Sequence, residues 1–169
     1  MAVVPEDTAD DEAVVVVFHR EYPAMVGMAS LLLRDRAAAE DVVQEAFVCL
    51  LLKWDRLRDP SKAGAYLRTT VLNVARGRLR RDRTAQRKLR PLRVVVDSTE
   101  DAALASTEHV RVMAAVDGLP RRQRECAVLR YYLDLSDGEI AEALGMAIGS
   151  VKSHLHRARA ALEAALEER

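Results

Sequence analysis

The sequence predicts an all-α chain: two small helical domains joined by a flexible linker, the C-terminal one built on a helix-turn-helix. Composition is the first ground. Half of the 169 residues are apolar but only 4% are aromatic, and Ala, Leu, Val, Arg and Glu dominate, a mixture that suits helices. The second is periodicity, with apolar residues recurring at helical spacing in two blocks, residues 12–83 and 107–169. The third is the loss of that periodicity over residues 84–106, where basic residues, Pro91, a Val94-Val95-Val96 triplet and then acids follow one another. This reads as a linker, with the triplet a short docking segment.

Taken in order, residues 1–11 are polar and acidic and read as a disordered leader. From Glu12 to Leu33 the residues Val14, Val17, Phe18, Met25, Met28, Ala29 and Leu32 mark one helical face, with Pro23 expected to break or restart the helix. Arg36 to Trp54 is strongly amphipathic. Val42, Val43, Ala46, Phe47, Leu50 and Leu51 form its apolar stripe, and Glu40, Asp41, Gln44 and Glu45 its polar face. Ser61, after Asp59-Pro60, is the expected cap of a helix from Lys62 to Arg83. On that helix Tyr66, Val71, Leu72, Ala75 and Leu79 point inward, and Arg68, Asn73, Arg76 and Arg80 are expected outside. The second block starts near Thr107, breaks at Gly118-Leu119-Pro120 and continues.

The 26 basic and 26 acidic residues cancel, but they are segregated. Glu6, Asp7, Asp10, Asp11 and Glu12 precede the first Arg, whereas residues 76–93 hold nine basic residues and one acid, Asp82. Such blocks suggest anionic partners for the basic segments. The two cysteines, Cys49 and Cys126, are far apart in apolar helical settings, which suggests buried thiols in a reducing, cytoplasmic compartment. No targeting segment and no apolar run of membrane-spanning length is present. No phosphate loop, nucleophile–histidine pair or buried carboxylate pair points to an enzyme, a cofactor or a small-molecule substrate. His154 and His156 stand two residues apart, so their rings diverge on a helix and make a poor metal pair.

Residues 135–162, LSDGEIAEALGMAIGSVKSHLHRARAAL, carry the sharpest local signal. Ser136 and Glu139 have capping-box spacing. Gly145 falls where a tight turn requires a positive φ. Small Ala141, turn Gly145 and inward Val151 then make up helix-turn-helix spacing. The second helix is expected to begin near Ser150. On a helical wheel Val151, Leu155, Ala158 and Leu162 share one sector. Ser153, His156 and Arg157 face away from it, flanked by Lys152 and Arg159, and these are side chains of the kinds that contact phosphates and base edges.

These residues, with two further blocks, resemble the extracytoplasmic-function (ECF) sigma factors of bacterial RNA polymerase. Leu119-Pro120-Arg121-Arg122-Gln123-Arg124-Glu125, Leu129-Arg130-Tyr131-Tyr132 and Leu135-Ser136 are similar to the start of that family's C-terminal domain. Asp41-Val42-Val43-Gln44-Glu45-Ala46-Phe47 resembles its polymerase-clamp helix. Ala65-Tyr66-Leu67-Arg68, Asn73-Val74-Ala75-Arg76 and Arg80-Arg81 resemble its −10-element helix. The resemblance implies that Ser150, Lys152, Ser153, His156, Arg157 and Arg159 contact the −35 element. It implies that Tyr66, Asn73, Arg76 and Arg80, with the Trp54–Lys62 connection, contact the −10 element and a base flipped out of its strand. Asp41, Gln44 and Glu45 are implied to bind core polymerase at its clamp, the polymerase flap is a second implied contact region, and the linker is implied to thread its channels. Promoter DNA and an anti-sigma factor complete the implied partners.

This sequence departs from the family pattern at four places. Ala147-Ile148-Gly149 stands where relatives often have Ser or Thr and an acid, which removes a cap that Ser150 is expected to restore in part. His154 stands for a frequent Arg, Tyr66 for a frequent Trp, and Gly138 weakens the first helix of the motif. The alternative, a stand-alone helix-turn-helix regulator, accounts for residues 135–162 but leaves residues 41–47 and the linker without a role. An adaptor with basic binding surfaces is the third reading.

Overall fold

In the computed structural model, residues 7–57, 59–88 and 107–167 are described. The Val94–Val96 triplet and most of the expected linker and leader lie outside these residues. Every regular element among the described residues is helical. The N-terminal half has three helices, α1 (Asp7–Leu33), α2 (Arg36–Leu51) and α3 (Ala63–Lys88), with single 3-10 turns at Trp54–Arg56 and Pro60–Lys62. The C-terminal half has α4 (Thr107–Gly118), α5 (Arg121–Ala127), a wide π-type turn (Val128–Tyr132), α6 (Asp137–Leu144) and α7 (Ile148–Glu167).

Helix α1 runs unbroken through Pro23, contrary to the expected break. Proline removes one backbone hydrogen bond and crowds the preceding turn, at about 3 kcal/mol. Met25, Met28 and Leu32 lie beyond it on the buried face that Val17 begins, and each such side chain contributes about 1.5–3 kcal/mol when removed from water. Continuing the helix therefore wins. The helix also starts at Asp7, inside the segment read as leader.

Arg34, in the left-handed conformation at φ 61°, closes α1, and Asp35 caps α2 by accepting from the Ala38 amide at 2.9 Å. At the next junction the cap is Asp59, not Ser61. The Asp59 carboxylate accepts from the Ser61 amide at 3.0 Å and from its hydroxyl at 2.6 Å. Proline at position 60 pre-sets the turn. These bonds, the hydroxyl's first, hold the Asp59 carboxyl below its usual range. Helix α3 buries Leu67, Val71, Leu72 and Ala75 against α1 and α2. Its last turn reaches Lys88, past the expected end at Arg83.

In the C-terminal half α5, α4 and α6 all pack on α7. Arg124 fastens the α4–α5 corner from inside. Its Nε donates to the Val116 carbonyl at 3.2 Å, and its Nη2 donates to those of Leu119, at 3.2 Å, and Asp117. One side chain thus bonds three carbonyls at and just past the end of α4, where backbone acceptors run short of amide donors.

The two halves are docked. Core residues of α1–α3 form one apolar cluster with Cys126, Leu129, Ile140, Leu144 and Val151. Trp54 is buried in this cluster as a core aromatic. Cys126 is buried, but Cys49 is only half-buried, so one of the two thiols matches expectation. Burial, with the adjacent Glu125 charge, raises the Cys126 thiol to about 11.

Two outcomes are expected. Arg124→Ala lowers stability by about 2 kcal/mol, the order of a lost set of charged hydrogen bonds, measured by urea unfolding. At pH 8 the native Cys126 resists alkylation while Cys49 reacts, and the two rates converge in guanidinium. Equal rates in the native protein would contradict the burial of Cys126.

Candidate nucleic-acid interface

The helix-turn-helix is built as its residues dictate. The Ser136 hydroxyl accepts from the Glu139 amide at 3.3 Å, while the Glu139 carboxylate accepts from the Ser136 amide at 2.8 Å and hydroxyl at 2.7 Å. This reciprocal box starts α6 and holds the Glu139 carboxyl below its usual range, the hydroxyl bond contributing most. Gly145, at φ 61°, ends α6. The Met146 amide then bonds back to the Ala141 carbonyl at 3.0 Å, closing a Schellman turn.

Helix α7 starts at Ile148, earlier than expected. The Ala147 carbonyl accepts from the Ser150 and Val151 amides at 2.9 and 3.1 Å. Ser150 therefore lies within the first turn and caps nothing. The cap position falls to Ala147, which has no side-chain acceptor.

Val151 and Ala158 are fully buried and Leu155 and Leu162 are half-buried, so one face of α7 is committed to the core. Ser150, Lys152, Ser153, His156, Arg157 and Arg159 are all exposed on the other side. Two of them carry local bonds: the Ser153 hydroxyl donates to the Gly149 carbonyl at 3.0 Å, and Arg159 pairs with Glu163 at 2.7 Å. The latter pair raises the Arg159 pKa. Lys152, His156 and Arg157 make no ion pair among the described residues. His154 turns inward, with a buried Nδ1 that has no partner.

On α3, Asn73 and Arg80 are exposed, and Tyr66 lies half-buried on the same seven-residue stripe. The Lys53 ammonium sits over the Tyr66 ring, 5.5 Å from its centroid. Beside it a crevice opens between α3 and α6, lined among others by Leu57, Lys62, Tyr66, Arg68, Glu139 and Glu142. Arg76 is the exception. Expected outside, it turns to the C-terminal half and forms a two-pronged ion pair with Glu125 at 2.9 Å on both prongs.

On α2, Asp41, Gln44 and Glu45 are exposed together, and Asp41 also meets Arg78 at 3.3 Å. Val48 and Leu52, 53% and 80% exposed, continue this face. Both were missed in the sequence, although a wheel centred on Val42, Val43, Ala46 and Leu50 puts them opposite the core. Leu51, assigned to the apolar stripe, lies at its edge and is exposed.

Family comparisons match this layout. The model of sigma-70 region 2 covers residues 17–85, and that of sigma-70 region 4 covers residues 109–162. An RNA polymerase sigma-E factor of Streptomyces avermitilis is 36% identical over 148 residues, covering 86% of this chain and 80% of that protein. The chain belongs to the ECF family of RNA polymerase sigma factors. The ECF sigma factor SigL of Mycobacterium tuberculosis is 31% identical, covering 99% of this chain and 97% of its own. Among solved structures, the sigma factor RpoE of Bartonella quintana, in complex with the anti-sigma factor NepR, superposes with a TM-score of 0.73. It is 26% identical, covering 90% of this chain and 96% of that one. CnrH in complex with the cytosolic domain of CnrY gives a TM-score of 0.70, also at 26% identity, over 93% and 89% of the chains. This sigma factor is therefore a promoter-recognising, DNA-binding protein with sigma-70 regions 2 and 4. No helix among the described residues is long and apolar enough to cross a membrane.

Two glycines at the motif should respond oppositely to alanine. Gly145→Ala forces a β-carbon into the left-handed region and lowers stability by about 1–2 kcal/mol. Gly149→Ala lies in open space in the first turn of α7, and raises stability by about 0.5 kcal/mol. Thermal unfolding of the two variants checks the signs.

Proposed function

We propose that this ECF sigma factor reads the −35 element with the outward face of α7, through Ser150, Lys152, Ser153, His156, Arg157 and Arg159. It reads the −10 element with α3 and the Trp54–Lys62 turns, through Tyr66, Asn73, Arg80 and Arg76. Asp41, Gln44 and Glu45, extended by Val48 and Leu52, form the surface for the clamp of core polymerase, and the C-terminal domain lies at the flap. Together these contacts direct promoter melting and initiation in the cytoplasm, by binding alone and without chemistry of the chain's own.

One observation carries the −35 assignment. The buried face of α7 is fixed by Val151 and Ala158, and the capped α6 and Gly145 turn present the opposite face, where Lys152, His156 and Arg157 make no ion pair among the described residues. Cationic side chains on a presented helix suit the major groove. The Tyr66 crevice suits an unstacked base, which costs a few kcal/mol to extrude and needs a ring to stack on. The two solved neighbours are complexes with NepR and with CnrY, the first an anti-sigma factor, and an anti-sigma partner for this chain is part of the same reading.

The decisive experiment is initiation in vitro with core polymerase and a promoter library. Specific start sites are the expected result; a footprint on a palindrome by the protein alone, without polymerase, would contradict it. Arg157→Ala and Lys152→Ala should each lower promoter use about tenfold, the order of one lost base or phosphate contact, with core binding unchanged. Asp41→Ala and Leu52→Ala should weaken core binding instead. Promoter affinity should fall steeply with salt as phosphate contacts release counterions.

A further inference from the structure

Glu125 is the one buried charged residue among the described residues, 3% exposed. It lies on α5, where Arg121 and Arg122, of its own helix, approach at 3.8 and 3.1 Å. Its strongest partner comes from the other domain. Oε1 accepts from Arg76 Nε and Oε2 from Arg76 Nη2, each at 2.9 Å, and the Arg76 side chain keeps 16% of its exposure. A forked Arg–carboxylate pair has the geometry of a forked Arg–phosphate pair. Burial pushes the Glu125 carboxyl up, but the bonds and charge of Arg76, with Arg122 and Arg121, outweigh it and hold the group below its usual range. Glu125 is thus an anion at neutral pH.

Two other charge contacts between the halves have the same polarity. Arg34, at the end of α1, pairs with Asp117 of α4 at 2.8 Å. Arg68 of α3 lies in the field of Glu139 of α6. In these three contacts the N-terminal domain supplies the cation and the C-terminal domain the carboxylate, while Arg124 of the C-terminal domain lies in the opposing fields of Arg34 and Arg83. Tyr132 completes the seam by packing its ring on α1 at Gly27, so closely that a β-carbon there would overlap the hydroxyl and stand 2.5 Å from Cζ. Two DNA-reading domains would be expected to repel; these two attract because one offers acids to the other's phosphate-seeking arginines.

We infer that Glu125 is a gating residue. In the free chain it occupies Arg76 and, with Asp117 and Glu139, clasps the C-terminal domain against the N-terminal domain at that residue, leaving Asn73 and Arg80 exposed. DNA reaches Arg76 only when this clasp opens. The inference rests on the −10 reading of Arg76 given above. A chain that is mostly clasped binds DNA with its intrinsic affinity reduced by the open fraction, so loosening the clasp raises affinity without adding a contact.

Three variants of the full chain test this by solution X-ray scattering and by anisotropy of a fluorescent, mixed-sequence single-stranded oligonucleotide. Glu125→Gln keeps the shape and removes the charge. Gly27→Leu displaces Tyr132 and leaves every charge in place. Asp134→Asn, at an exposed left-handed position, removes one acid that makes no ion pair among the described residues and controls for net charge. In low salt, Glu125→Gln and Gly27→Leu should both enlarge the radius of gyration and bind the oligonucleotide about tenfold more tightly. Asp134→Asn should do neither. Adding Arg76→Ala to Glu125→Gln should abolish the gain while the particle stays expanded. Unchanged scattering in both openers would overturn the clasp. Expansion without tighter binding would overturn the gating. A gain that survives the loss of Arg76 would refute the −10 reading of Arg76 and leave the clasp standing.

Discussion

Each helix of this sigma factor has one apolar stripe to bury, and the functional surfaces are what remains. With few aromatic side chains, the core is built from Val, Leu, Met and Ala, small and branched groups that bring helices close and leave little freedom to rotate about their axes. Burial of Val42, Val43, Ala46 and Leu50 turns Asp41, Gln44 and Glu45 outward, and Val151 with Ala158 does the same for Lys152, His156 and Arg157. No separate device aims these residues. The hydrophobic constraint on one face is the aiming device for the other.

The turns supply what the stripes leave open, the angle between successive helices. The Ser136–Glu139 box and the left-handed Gly145 fix where α6 starts and stops. The entry of α7 is looser, since Ala147 offers no side-chain cap and Ile148 is half-exposed. Here the chain departs from the pattern of its family, at Ala147-Ile148-Gly149.

A buried ion pair such as Arg76–Glu125 adds little net stability, because desolvation of both charges offsets most of their attraction. Its value lies in specificity of arrangement and in reversibility. Arg76 gives up hydration here and meets the forked carboxylate of Glu125.

Much was legible in the chain itself. The two helical blocks, the helix-turn-helix, its capping box, the positive φ at Gly145 and the outward residues of α7 all follow from local rules: period, cap spacing and the β-carbon. Three local expectations failed for identifiable reasons. Pro23 did not break α1, because the buried residues beyond it outweigh one lost bond. Ser61 yielded its capping role to Asp59, which accepts both its amide and its hydroxyl, and α7 began before Ser150 because the Ala147 carbonyl already serves the first turn. Arg76 was beyond any such rule. Its position on α3 puts it beside Asn73 and Arg80, on the exposed side; that it folds back onto an acid 49 residues away depends on how two domains meet. Local sequence determined which face of each helix is polar, since that is set by neighbours within a turn or two. Only the tertiary structure decided which of those polar residues are free, because that depends on charges the chain brings together from afar.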